Sequence, residues 1–246
     1  MVNYKFIIVV LLSFLLISLP ISSSFTENQT LTYDGNGNLI SGDGKFREYN
    51  EFNQLIRIYD GNNTNGTVLE EYIYHPTEDR ILVKRVNDAT PSNEDETIVY
   101  VNDNFVRTYN LKGITEINDT YYVKDEIGIV GEIIFNGLEG NSTFIQGDKL
   151  FHHNDHVGSA SVITNSSASI VEQTFYEPFG GIISGGNRSR FDYEGKEFDS
   201  FVGDYDFNFR KYDPDLLIFT KPDSIISDPY NPQALNKYSF ELNNPY

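Results

Sequence analysis

Along most of the chain, apolar and polar residues alternate with a period of two. Thr67 to His75 sets Val68, Glu70, Tyr72 and Tyr74 against Leu69, Glu71 and Ile73. Similar runs recur at Ile81 to Val86, Thr97 to Val101, Phe105 to Tyr109, Tyr121 to Lys124, Ile129 to Phe135 and Lys149 to His153. Successive side chains of an extended strand point to opposite faces, so each run predicts a β-strand. Past Ser24 no stretch keeps the period of an amphipathic helix. Turn clusters separate the runs at Asp34-Gly35-Asn36-Gly37-Asn38, Asn102-Asp103-Asn104 and Asn136-Gly137. Such residues tolerate the positive φ that tight hairpins require. The expected fold is all-β, a meander of antiparallel hairpins.

A unit repeats inside this meander. Tyr33-Asp34-Gly35-Asn36-Gly37-Asn38-Leu39 is echoed by Tyr49-Asn50-Glu51-Phe52-Asn53-Gln54-Leu55 and again by Tyr74-His75-Pro76-Thr77-Glu78-Asp79-Arg80-Ile81. In each, a tyrosine ends one strand, a polar turn follows, and an apolar residue starts the next. One hairpin cannot bury its own apolar face, but stacked neighbours can. The acidic stretch Pro91 to Glu96 reads as an exposed loop.

The N-terminus breaks the pattern. Lys5 precedes an apolar run from Phe6 to Ile21, followed by Ser22-Ser23-Ser24. This is the order of a signal peptide, expected to form one hydrophobic helix and to be cleaved near Ser24. The competing reading is an uncleaved anchor, against which stand the shortness of the run and Pro20, since a full span needs about 20 residues. Membrane attachment is expected only if this segment is retained.

Composition then narrows the function classes. The chain carries 18 Lys and Arg against 36 Asp and Glu, a formal net charge of −18. Nucleic-acid binding needs basic counter-charge and is excluded as an expectation. With 0 Cys there is neither a disulfide nor a lipidated-cysteine anchor, so packing and strand pairing hold the fold. Asn-x-Ser/Thr sequons start at Asn28, Asn62, Asn65, Asn118, Asn141, Asn165 and Asn187. They fit an exported protein, although chance alone supplies a share of them.

Candidate chemistry is sparse. His152, His153, Asp155 and His156 are potential metal ligands. On a strand, however, His152, Asn154 and His156 share one face while His153 and Asp155 take the other, a thin set for zinc. Gly158-Ser159 lacks the nucleophile elbow, no glycine loop cradles phosphate, and nothing singles out a glycosidase carboxylate pair. Exposed tyrosines can stack on sugars, but in a hairpin array they more often fill the core. Tyr205, Phe207 and Phe209 alternate with Asp206, Asn208 and Arg210, predicting an aromatic face and a polar one. Arg210 is expected to pair with Asp213 or Glu197. No catalytic, cofactor or metal residue is assigned.

From Tyr121 onward a series of blocks appears. Tyr121-Tyr122-Val123-Lys124-Asp125 precedes His153-Asn154-Asp155-His156-Val157-Gly158-Ser159. Tyr176-Glu177-Pro178-Phe179-Gly180, Gly195-Lys196-Glu197-Phe198-Asp199 and Arg210-Lys211-Tyr212-Asp213-Pro214 follow. Last come Asn231 to Ser239 and Asn243-Asn244-Pro245. In content and order these resemble the Rhs and YD-repeat family with its repeat-associated core domain, a group that includes the teneurin shells. The tyrosine units resemble that family's Tyr-Asp repeat. The division expected is 1–24 signal or anchor, 25–120 YD-repeat hairpins and 121–246 core-like region.

The resemblance implies a β-sheet spiralling into a shell, closed at one end by the core and enclosing a variable C-terminal segment, often a toxin, or standing on a cell surface. It also implies architectural roles for His153, Asp155 and His156. Some relatives cut themselves with two aspartates, each in an Asp-Pro-x-Gly motif. Here the first position reads Asp223-Ser224-Ile225-Ile226, and the second would fall after Asn243-Asn244-Pro245-Tyr246. The expected function is therefore a non-catalytic exported scaffold or display module that binds a protein or carbohydrate at the cell surface. The alternative is the capping fragment of a larger shell whose cargo or second shell chain comes from elsewhere. A diverged self-protease or glycan-active enzyme is the remote third.

Overall fold

A computed structural model of the protein describes residues 30–245 except 78–80, 87–95, 111–115, 127, 139, 142 and 227. The hydrophobic N-terminal segment, the Asn28 sequon and residues 91–95 of the acidic loop lie outside the described residues. Thirteen strands form the main sheet, each antiparallel to the next, so spatial order follows chain order. They are β1 (Thr32–Tyr33), β2 (Leu39–Ser41), β3 (Lys45–Tyr49), β4 (Leu55–Asp60), β5 (Val68–Tyr74), β6 (Ile81–Val86) and β7 (Glu96–Asn102). The sheet continues through β8 (Phe105–Asn110), β9 (Glu116–Lys124), β10 (Ile129–Leu138), β11 (Ile145–Asn154), β12 (Ala160–Asn165) and β13 (Ile170–Gln173). A two-stranded sheet of β14 (Phe175–Tyr176) and β15 (Ile182–Ser184) follows. Then comes a four-stranded sheet of β16 (Glu197–Asp199), β17 (Asp204–Asp206), β18 (Lys211–Asp213) and β19 (Ile218–Phe219). Among the described residues there is no α-helix, only short 3₁₀ turns.

The alternating runs between Thr67 and His153 all lie on strands, to within one residue at either end. The tyrosine units also fall as expected, with Tyr33, Tyr49 and Tyr74 closing β1, β3 and β5 and Leu39, Leu55 and Ile81 opening β2, β4 and β6. β4 was legible only at its first residue, because Ile58 and Tyr59 are both buried and blur the alternation. The acidic loop ends sooner than its sequence implied, since Glu96 already belongs to β7.

One turn recurs through the chain. In residues 34–38, the Asp34 amide donates to the Asn38 carbonyl at 2.9 Å and the Gly37 amide to the Asp34 carbonyl at 3.1 Å. Asp34 Oδ1 also accepts from the amides of Asn36 and Asn38 at 2.9 and 2.8 Å. Residues 50–54 and 165–169 repeat both backbone bonds, with Asn50 and Asn165 as the side-chain acceptors. So do residues 155–159, where Asp155 Oδ1 accepts from Val157 and Ser159 at 3.0 and 2.9 Å. The fourth residue is left-handed each time: Gly37 (φ 87°), Asn53 (φ 65°), Gly158 (φ 91°) and Ala168 (φ 57°). This is the three-residue hairpin loop closed by a left-handed bulge, and Asp or Asn at its first position satisfies two otherwise orphaned amides. The block around His153 therefore contains the same device as the tyrosine repeat.

One face of the main sheet, here the inner face, is covered by residues beyond 190. Val202 packs on Leu55, Ile58 and Tyr72, while Phe191 packs on Val86, Ile98, Val106, Tyr122 and Ile129. Tyr122 and Phe191 meet edge to face at 4.9 Å. The four-stranded sheet has two unlike faces. Register places Phe198, Tyr205, Tyr212 and Phe219 in one cross-strand row. Phe240, fully buried, stacks on Tyr212 at 4.1 Å, and Phe207 and Tyr193 complete the cluster. Glu197, Asp206 and Lys211 form a row on the other face, with Asp199 opposite Asp204.

The alternation beginning at Tyr205 needs correction at its end. β17 stops at Asp206, Asn208 is left-handed (φ 68°), and Phe209 is 65% exposed rather than part of the aromatic face. Gly180 shows a close approach of backbone to core. A Cβ there would sit 2.7 Å from the Tyr193 ring, and its φ of 88° is left-handed as well.

Candidate functional site: an acidic sheet face locked on inward cations

Cross-strand register sets Arg47, Ile58, Glu70 and Val86 in one row of the inner face, and Tyr72, Lys84 and Ile98 in the next. Three charged side chains thus occupy positions that alternation reserves for apolar ones. Each meets the acidic face of the four-stranded sheet or a carboxylate beside it.

Lys84 is 3% exposed, and its Nζ lies 3.2 Å from both Glu197 Oε1 and Asp199 Oδ2 and 3.9 Å from Glu70 Oε1. Glu197 Oε1 also accepts from the Tyr100 hydroxyl at 2.7 Å and from Arg190 Nη2 at 3.0 Å. Arg47 Nη2 reaches Asp43 at 2.7 Å and Asp204 at 3.4 Å, while Lys45 Nζ reaches Asp204 at 3.1 Å and Asp213 at 3.6 Å. Lys211 pairs with Asp206 at 3.4 Å and lies over the Tyr72 ring.

Burial favours the neutral form of each carboxyl, and the cations oppose it. At Glu197 the cations win: Lys84, Arg190 and the Tyr100 hydroxyl hold its pKa at about 2 against that burial. Asp199, also buried, is likewise held low by Lys84 and a hydrogen bond from Glu70. Glu70 goes the other way, pushed well above the usual carboxylate range by burial and by Asp199. The two carboxyls share a hydrogen bond, and the Tyr72 hydroxyl donates to Glu70 Oε2. This arrangement joins the two sheets. Ion pairs of this depth contribute little net free energy against apolar replacements, and their best-attested use is to select one registry.

A second buried polar group lies beside β12. The Tyr176 hydroxyl bonds Asp192 Oδ1 at 3.1 Å, and His152 Nε2 lies 3.2 Å from Glu132 Oε1. Burial raises Asp192 to about 6 despite the Tyr176 hydroxyl. Burial and Glu241 raise Glu194 to about 7.

The histidines singled out in the sequence do not converge. His152 faces inward to Glu132, and His153 faces outward, 3.0 Å from Thr164 Oγ1. Asp155 braces its turn, and His156 is exposed within it. His156 does not share a strand face with His152 and Asn154, because β11 ends at Asn154. Asp213 and Glu197 are not the partners of Arg210, since cations of the main sheet and Arg190 engage them. Arg210 instead pairs with Asp223 at 3.2 Å, its guanidinium 3.7 Å above the Phe219 ring. The same Asp223 accepts from the Ile225 amide at 3.0 Å in a turn. Sequence reading missed Arg47, Glu70 and Lys84 altogether. Their signal was parity, because Glu70 alternates in phase with Tyr72 and Tyr74, and Lys84 with Val86.

Fold and seam together define a hairpin-array wall protein, with a tyrosine-turn sheet as one layer and a two-faced cap as the other. The family profile of the teneurin YD-shell matches residues 26–246, and the chain belongs to that family. No curated protein matches the sequence. Among solved structures, a Photorhabdus luminescens Tc holotoxin pore with mutated TccC3 aligns with a TM-score of 0.70 and 18% identity, over 87% of this chain and 10% of that one. TcdB2-TccC3 aligns with a TM-score of 0.70 and 19% identity over the same shares. TcdB2-TccC3 without its hypervariable C-terminal region gives 0.68 and 19%, again over 87% and 10%. These likenesses show the fold, and the chain spans about a tenth of the length of the solved chains it matches.

Proposed function

We propose that this chain is an exported, non-catalytic YD-shell scaffold that presents its outer surface and loops to a partner at the cell surface. The observation that carries the reading is the seam. Residues beyond 190 occupy the inner face of the main sheet through buried ion pairs, so in this chain that face meets its own cap rather than a cargo. Within the reading, residues 1–24 direct export, 25–120 form the repeat hairpins and 121–246 the core-like region, which supplies the last strands of the wall as well as its cap. Asp223 pairs with a guanidinium rather than a second carboxyl, which supports a role in packing over self-cleavage. The mature chain, purified alone, is expected to be monomeric and cooperatively folded by light scattering and thermal melting. Incubation is expected to leave its mass intact in both wild type and Asp223→Ala. A clean fragment ending near Asp223, abolished in the variant, would overturn the non-catalytic reading.

A second reading rests on the sheet's lateral ends. β1 pairs only with β2, and β13 only with β12, in the described sheet. With a span about a tenth of the solved relatives, this supports a capping fragment of a larger shell whose cargo or second wall comes from another chain. Solubility only in the presence of a neighbouring gene product would favour it over the self-sufficient module.

A further inference from the structure

A recess of about 300 Å³ opens where the 155–159 turn meets β13 and β14. Phe175, Tyr176 and Tyr193 supply its aromatic wall, and Asp155, His156 and Glu177 its polar rim. Both phenols are committed elsewhere: Tyr176 donates towards Ala160 O and Asp192, and Tyr193 donates to Pro178 O at 2.9 Å. Tyr193 is buried at the base of the wall and Tyr176 is half-buried, so contact with a ligand falls to Tyr176 and Phe175. Phe175 is 57% exposed, an apolar ring standing at the mouth.

The rim is one-signed apart from the imidazole. No lysine or arginine lines the recess, whereas neighbouring clefts contain Lys124 and Lys196 or Lys84 and Arg190. Glu177 is exposed and makes no ion pair among the described residues, and Asp155 is held in place by two backbone amides. An aromatic wall with carboxylates at its edge attracts a cation through the ring quadrupole and through charge. The volume is at the small end for ligand pockets, suited to one long side chain rather than an extended chain. The net charge of −18 favours approach of a basic partner over the whole surface.

We propose that this recess binds the cationic side chain of a basic partner segment, arginine in preference to lysine. A planar guanidinium stacks flat on rings and presents two parallel donors to a carboxylate, whereas an ammonium is a compact, strongly hydrated point charge without that plane or fork. The assignment concerns the chain itself and holds whether the protein acts alone or within a larger shell.

The test titrates the mature protein with a blocked pentapeptide of glycines around one arginine, and with its lysine and citrulline counterparts, followed by NMR. Shifts are expected at Phe175, Tyr176 and His156, with the arginine peptide tighter than the lysine peptide and the citrulline peptide silent. Phe175→Ala and Glu177→Gln, both at exposed positions, are each expected to weaken binding about fivefold. Glu116→Gln, in a separate groove, is expected to leave it unchanged. Equal binding of the citrulline peptide would overturn the proposal. So would wild-type affinity in both rim variants, which marks diffuse charge attraction. Neutral oligosaccharides shifting the same residues while the peptides do not would assign the recess to sugar instead.

Discussion

The four-stranded sheet carries two buried faces made in opposite ways on the same backbone. One is a row of rings, Phe198, Tyr205, Tyr212 and Phe219, capped by Phe240. The other is mostly carboxylates, with Lys211 among them, met by Lys84, Arg47, Lys45 and Arg190. Ring burial is non-directional and tolerates small shifts, each buried ring contributing about 1.5–3 kcal/mol. A charged face pairs well in one register and badly in all others, because a misplaced cation leaves several buried carboxylates uncompensated. The rings thus supply affinity between layers, and the charges supply position.

The largest expected effect comes from unpairing the charged face. Lys84→Ala leaves Glu197 to Arg190, and leaves Asp199 to Lys211, a buried cation that makes no ion pair with it. It is expected to destabilise the protein by about 3–5 kcal/mol in urea unfolding. Joint replacement of Glu70, Lys84 and Asp199 by apolar residues of similar volume is expected to restore most of that loss. If Lys84→Ala costs under about 1 kcal/mol, the seam is far wetter than its burial implies. On the other face, Phe240→Ala removes a fully buried ring and is expected to cost about 3–4 kcal/mol through cavity formation. Its cost is expected to stay constant from pH 5 to pH 8, where no ring in the cluster ionises.

Acidity separates the two faces next. Glu197 has its pKa depressed to about 2 in the folded chain, below an unfolded value near 4.5. Its contribution, about 3 kcal/mol, is present above pH 4.5 and lost as pH falls towards 2. Asp192 behaves oppositely, raised to about 6 from an ordinary 3.8. It favours the folded state below pH 3.8, and that advantage disappears as pH rises through 6. From these two groups stability is therefore expected to rise to a maximum near pH 4 to 4.5, to fall from there to about pH 6, and to level off beyond. Urea midpoints from pH 3 to pH 8 check this. Asp192→Asn is expected to flatten the alkaline side, and a curve rising steadily to pH 8 contradicts the assignment.

How much of this was legible follows from the same contrast. Alternation is a local property, so Tyr72, Tyr122 and the turn residues Asp34 and Asn50 announced strands and hairpins directly. The pairing of a face with its cover is not local. Lys84 and Glu197 stand 113 positions apart, and Lys45 and Asp204 stand 159 apart. Asp206 looked like the wet side of an aromatic strand, yet that side is the seam. Arg210 had acids nearby in sequence, but Asp213 and Glu197 point to the face opposite the rings, where the main sheet supplies their cations. Nothing periodic marks which carboxylate meets which cation, although a charge in phase with tyrosines is itself a clue to a buried partner.

Arg210 gives the smallest and sharpest comparison. It is a cation on the ring side, stacked on Phe219 and paired with an Asp223 whose side chain is 41% exposed. Water screens that pair, so its charge contributes about 0–1 kcal/mol, whereas its stem and guanidinium plane cover the ring. Arg210→Met keeps the cover and removes the charge, and it is expected to cost under about 1 kcal/mol. Arg210→Ala removes both and is expected to cost more, by uncovering Phe219. Asp223→Asn is expected to match Arg210→Met. If Arg210→Met instead approaches the loss seen for Lys84→Ala, charge is holding the ring face as well, and the division between affinity and position fails.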